Sequence, residues 1–205
     1  MALKISGSTV LTYDGANYSN TNIAVGYLAL NAVTTGTNNT AVGSQALYSS
    51  TTASNTALGY QALYGTTTGN ANTGVGSQAL YSNISGWYNT ALGQQALYTS
   101  TTGFYNTAVG NSALYSDTAG SNNTAIGYTA LFKNTTGDFN TALGSTAIQN
   151  NTTGFQNTEC FVQENGHFLQ AARIAKSSQL FLVRGVASAH NSSLICLLFP
   201  QQGVN

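Results

Sequence analysis

The sequence predicts an all-β, repetitive solenoid, and three observations carry that prediction. A unit of seventeen residues recurs almost unchanged: "NTALGQQALYTSTTGFY" at 89–105 is followed at once by "NTAVGNSALYSDTAGSN" at 106–122. Aligned on the glycine of the N-T-A-V-G core, the units place Gly26, Gly43, Gly59, Gly76, Gly93, Gly110, Gly127 and Gly144 at a spacing of 17, with one spacing of 16 between Gly43 and Gly59. Charged residues make up 5% of the chain and sum to +0, against 42% hydrophobic residues, 22 glycines and a single proline. Such a chain is too apolar for a solvated linker and too regular for an unpatterned globule.

Within each unit, "TAVG" and "QALY" read as two short extended runs, separated by a glycine and two variable residues and closed by a "TTG" turn. One unit then makes one coil. A helix is excluded because seventeen residues with two or three glycines and a Thr-Thr pair have poor helix propensity and no capped apolar stripe. The missing residue of the short unit is placed in the turn after Ala53, where its loss leaves the strands in register.

Fixed columns acquire physical reasons. Asn39, Asn55, Asn72, Asn89, Asn106, Asn123 and Asn140 stack, their amides bonding between coils or closing the turn. Gly36, Gly69, Gly86, Gly103, Gly120, Gly137 and Gly154 end the "TTG" turn, where a positive φ is easiest for glycine. Tyr48, Tyr64, Tyr81, Tyr98, Tyr115 and Phe132 form a column of stacked structural rungs.

The alanine column (Ala46, Ala62, Ala79, Ala96, Ala113, Ala130) is followed directly by a leucine column (Leu47, Leu63, Leu80, Leu97, Leu114, Leu131). Neighbours in a strand face opposite ways, so both runs are expected to carry apolar side chains on both faces. One face fills the coil and the other needs cover, which identical copies supply most simply. The expectation is a fibre of several chains, three being the natural small number. At roughly 4.8 Å per coil, eight coils make a shaft on the order of 40 Å.

The ends differ from the repeats. Residues 1–19 form an N-terminal cap or attachment segment in which "LKISGSTVL" reads as a short strand pair; residues 20–157 are the shaft; residues 158–205 are a C-terminal β-rich tip. The tip holds five of the ten charged side chains, both histidines, both cysteines and the proline. "CFVQENGHFLQ" reads as a hairpin turning at Asn165-Gly166; "QLFLVRGVASA" and "SLICLLF" read as two further strands. Cys160 and Cys196 read as buried free thiols, with a bridge between them as the alternative.

The residues N-T-A-V-G-x-x-A-L, as at 39–47 and 106–114, resemble the head repeats of trimeric autotransporter adhesins, with their S-V-A-I-G core. They are more similar still to the "NTAVGYQAL…TTG" repeats of tail-fibre proteins from bacteriophages and large algal viruses. The resemblance spans about residues 20–157. It implies a left-handed β-roll, three chains deep, serving as a rigid spacer or head on a surface-binding protein. The chain carries no signal peptide, coiled-coil stalk or membrane anchor of an autotransporter, so the expectation is a virion fibre assembled in a host cytoplasm; it also carries no C-terminal self-cleaving chaperone of the kind common behind such repeats in viral fibres, which leaves its route to a trimer open.

No catalytic, cofactor-binding or metal residue is expected. Over residues 20–157 the only charged side chains are Asp117, Lys133 and Asp138, and Cys160, His167, His190, Glu159 and Glu164 stand in no catalytic motif. Without a basic field, nucleic-acid and anionic-lipid partners are excluded. The expected partners are the chain itself as a homotrimer, virion proteins through the N-terminus, and a host glycan or protein through the tip. The turn aromatics Trp87, Tyr88, Phe104, Tyr105, Phe139 and Phe155 vary between units and are candidate glycan contacts; His167, Arg173, Arg184 and His190 are candidate tip residues. Two alternatives are a cell-surface adhesin or extracellular filament subunit of the same architecture, and an ice-binding solenoid suggested by Thr40, Thr56, Thr73, Thr90, Thr107, Thr124 and Thr141.

Overall fold

A computed structural model describes residues 2–5, 8–12, 22–33, 36–164 and 167–174, with side chains over 22–33 and 36–160. At the N-terminus β1 (Ala2–Ile5) and β2 (Ser8–Thr12) pair antiparallel, as the alternation of "LKISGSTVL" predicts. Each repeat then contributes one three-residue strand: β3 (Ile23–Val25), β4 (Thr40–Val42), β5 (Thr56–Leu58), β6 (Thr73–Val75), β7 (Thr90–Leu92), β8 (Thr107–Val109), β9 (Thr124–Ile126) and β10 (Thr141–Leu143). They pair in chain order as one parallel sheet, continued by β11 (Thr158–Glu164) and edged by the antiparallel β12 (His167–Ile174). Register is constant, with Thr90 beside Thr107, Ala91 beside Ala108 and Leu92 beside Val109. The chain is a parallel β-solenoid of about eight coils.

The "QALY" run is not a second strand. Residues 44–49 and their counterparts are turns, with left-handed backbone at Gln45 (φ 58) and Leu47 (φ 50) and the same pattern in every later coil. The coil has to bend here, and alternate left-handed residues bend it while still offering bonds to the next coil, Leu47 N–H to the Ala62 carbonyl at 3.0 Å and Ser49 N–H to that of Tyr64 at 3.1 Å. The bend turns Ala46 and Leu47 to the same side, and both are fully buried. A left-handed leucine costs about 1–2 kcal/mol, while burying its side chain returns about 1.5–3 kcal/mol, so burial decides the conformation.

The core is therefore three columns: the strand alanine (Ala91, Ala108, Ala125), and the alanine and leucine of the bend (Ala96 and Leu97, Ala113 and Leu114). The asparagine column behaves as expected and extends beyond it at both ends, from Asn22 to Asn157. Each Oδ1 accepts the backbone N–H of the asparagine one coil on, at 2.8–3.0 Å. From Asn22 to Asn140, each Nδ2 donates to the carbonyl that closes its own unit, at 2.6–3.0 Å. Two backbone groups that no strand would satisfy are thus paired inside the coil.

The positive φ expected of the "TTG" glycines is found in the other glycine column. Positive φ belongs to the N-T-A-V-G glycine, 134° at Gly110, a conformation open to residues without a Cβ. The "TTG" glycines are not in that region; they are needed because a Cβ at Gly103 would run into the Gly120 carbonyl and Asn106 Nδ2. The same columns relocate the missing residue. Asn39 Nδ2 donates to the Thr52 carbonyl where its neighbours use a glycine, and the Ala53 carbonyl accepts from Ala71 N–H as Asn70 does from Tyr88. Ala53 and Ser54 are thus the usual two residues before Asn55, and the deletion lies ahead of Thr52, not after Ala53.

Candidate functional site

The outer face of the sheet follows from strand alternation. With the strand alanine inside, the threonine and the Val, Leu or Ile two residues later point out together. Leu58, Leu92, Ile126 and Leu143 are exposed, and Val42, Val75 and Val109 between them are half-buried. The expected outward apolar face therefore exists, but it comes from one aliphatic column and the threonines beside it, because the bend leucines are all inside.

The tyrosine column is a continuous stack. From Tyr48 to Phe132 successive ring centroids are 5.0–5.2 Å apart and the planes are within 5–12° of parallel. These half-buried rings are rungs of the scaffold, as expected. The turn aromatics occupy the opposite end of the unit, just before the asparagine. Trp87 stacks on Phe104 and Tyr88 on Tyr105, each at 5.1 Å, and Trp87 meets Tyr105 edge-on at 5.1 Å. Trp87, Tyr88, Tyr105, Phe139 and Phe155 are exposed. The structure thus gathers four of the six into one block of two coils and leaves Phe139 and Phe155 further along the same corner.

Two polar ladders lacked an obvious signal in the sequence. Gln61 donates to Gln45, Gln78 to Gln61 and Gln95 to Gln78 at 2.9–3.1 Å. Inside the coil, Ser50, Thr66, Asn83, Ser100, Asp117, Asn134 and Asn151 occupy one fully or partly buried column. Their only shared property is being small or polar at a fixed offset, which a residue-type motif does not capture. Asp117 Oδ1 accepts from Asn134 Nδ2 at 3.0 Å and from Gly120 N–H at 3.1 Å, whereas its Oδ2 is buried without a hydrogen-bond partner. Burial drives its pKa from 3.8 up to about 8, with Asp138 adding to the rise and the two hydrogen bonds opposing it. Burial thus favours the protonated form of Asp117 at pH 7.

At the far end an open cleft of about 410 Å³ is lined by Thr146, Ile148, Gln149, Asn151 and Glu159 among others. Cys160 is buried, as expected; Cys196, the Asn165-Gly166 turn, the strands read at 179–199, Arg184 and His190 lie outside the described residues. His167 and Arg173 fall on β12, whose antiparallel pairing with β11 sets Glu164 opposite His167. Among the described residues no group of three or more His, Cys, Asp or Glu side chains is gathered, and no helix is long and apolar enough to cross a membrane.

The geometry defines a structural class, a parallel β-solenoid with an apolar sheet face and an aromatic corner. Comparison with protein-family models, with curated proteins and with solved structures finds no match.

Proposed function

We propose that the chain is the shaft of a non-enzymatic homotrimeric virion fibre, a left-handed roll that attaches a particle to a host surface. The supporting observation is the outward column Val42, Leu58, Val75, Leu92, Val109, Ile126, running along about 24 Å of sheet at the spacing of parallel strands. A stripe of that length on a single chain invites cover, and three copies around one axis would bury it. The near absence of charge fits a stiff, inert spacer better than a reaction vessel or a nucleic-acid surface. The N-terminal strand pair would join other virion proteins, and the tip would meet a host glycan or protein with weak single contacts multiplied by valency. A cell-surface adhesin or extracellular filament subunit uses the same architecture.

Static light scattering on the purified chain tests the assembly. A mass of about three times 21.2 kDa supports the fibre, and a mass of 21.2 kDa overturns it.

An ice-binding solenoid is the second reading, favoured by Thr90, Thr107 and Thr124 standing in line on the outer face. Against it, the neighbouring column alternates valine with larger leucine or isoleucine, so the face is ridged at every second coil. Thermal hysteresis at millimolar protein decides between them.

A further inference from the structure

We propose that the coil at Asn122 carries a lateral slot for a neutral hexopyranose, held between the rings of Tyr105 and Phe139. The proposal rests on the fibre reading for its biological meaning and not for its geometry.

The repeats supply their own control. The position before the conserved asparagine has the same left-handed backbone in all eight coils, with φ between 54° and 62°. Asn38, Ser54 and Ala71 fill it in the early coils, and asparagine is among the residues that tolerate that backbone best. The coil therefore has no need of Tyr88, Tyr105 or Phe139 there. All three are bulky rings in a conformation that disfavours them, and they are 51%, 48% and 57% exposed, so burial does not repay their strain as it does for the bend leucines.

Their order along the column matters. Tyr88 covers one face of Tyr105, at 5.1 Å and 4° from parallel. The next residue toward the C-terminus is Asn122, and the one after it is Phe139. With one coil every 4.8 Å or so, the levels of Tyr105 and Phe139 are about 10 Å apart. One rung of the ring ladder is replaced by an amide smaller than a ring, so no ring bridges the Tyr105 and Phe139 levels at this coil. Trp87, edge-on to Tyr105, lies one coil before it, on the side away from Asn122, and reports on the slot through that ring.

The chemistry selects the occupant. A pyranose offers apolar C–H faces to two aromatic rings, whose electron-rich faces attract them, and hydroxyls at its rim to the Asn122 amide, both a donor and an acceptor. Asp138, next to Phe139 and bonded to Ser121 N–H at 2.7 Å, is the charge nearest in sequence and column; it opposes an anionic sugar or a nucleotide.

Trp87 is the only tryptophan in the chain, so its emission reports on this corner alone. Titration of the full chain with maltohexaose, cellohexaose and mannohexaose, with polygalacturonate as the anionic comparison, tests the slot. At least one neutral hexasaccharide is expected to give a saturable change. Asn122→Tyr, which fills the rung with a residue the coil already holds at 88 and 105, and Phe139→Asn, which installs the residue of 38 and 122, are each expected to weaken it at least tenfold with the far-UV circular dichroism unchanged. No response to any of the three, tighter binding of polygalacturonate, or unchanged binding by Asn122→Tyr overturns the slot. Each of those results leaves the light-scattering mass where it stands, so failure of the slot and failure of the fibre are separate findings.

Discussion

Glu159 stands in the place of an alanine. In β11 it pairs with Ala142 of β10, its side chain is buried, and its Oε2 accepts the Ile148 N–H at 2.9 Å. In every earlier coil the equivalent N–H, such as that of Leu131, is taken by the next bend alanine, here the Ala147 carbonyl. Where the repeat stops, a side chain replaces the missing coil.

Glu159→Ala restores the repeat's own residue and leaves a buried N–H unpaired, a loss of about 1–3 kcal/mol. Glu159→Gln keeps an acceptor and is expected to lose less. Hydrogen exchange at the Ile148 amide, read beside urea unfolding, checks both; unchanged protection in Glu159→Ala would remove the capping role.

Asp117 makes stability depend on pH in the direction opposite to a paired carboxylate. Its pKa rises from 3.8 to about 8 in the folded chain, so the folded state holds a proton that the unfolded state releases. The contribution is fully present below about pH 4 and is lost as pH climbs through 8. Asn fits the same column at 83, 134 and 151, so Asp117→Asn is expected to flatten this dependence and to stabilise the chain by about 2–4 kcal/mol at pH 9. Urea midpoints at pH 5, 7 and 9 measure it.

Asn106 pairs two backbone groups at once, the Asn123 N–H and the Gly120 carbonyl. Asn106→Ala leaves both buried and unpaired, with an expected loss of about 2–5 kcal/mol. Asn106→Asp keeps the acceptor and should fall between it and the parent in thermal unfolding.

Two glycines respond oppositely to alanine. Gly74 takes the position that Ala57 and Ala91 fill in the strands on either side, and an added Cβ would meet Leu63 Cγ and the Ala79 carbonyl at 3.3 Å, a fit that asks these neighbours to give by a few tenths of an ångström. Gly74→Ala is expected to stabilise by about 0.5–1 kcal/mol. Gly110→Ala combines φ 134° with a collision against the Gly127 carbonyl and is expected to abolish folding of the central coils. Circular dichroism melts separate the pair.

Leu92 lies on the outer column and is exposed. Leu92→Lys together with Ile126→Lys should preserve the far-UV spectrum and reduce the scattering mass from about three chains to 21.2 kDa. A trimer that survives both changes would place the interface on another face.

The sequence alone determined the number of coils, their register and the asparagine and tyrosine ladders, because identical residues at a fixed period have to lie above one another in any solenoid. The N-terminal strand pair was legible for the same local reason, its alternation. The bend was not legible: "QALY" has strand-forming residues, and only closure of the coil forces Gln95 and Leu97 into left-handed backbone and turns Ala96 and Leu97 inward together. That packing decided which apolar column is left outside. It also assigned the two glycine columns, since a near collision with the next coil is invisible within one unit. The ring ladder, its gap at Asn122 and the carboxyl cap at Glu159 likewise exist only once coils far apart in the chain are stacked.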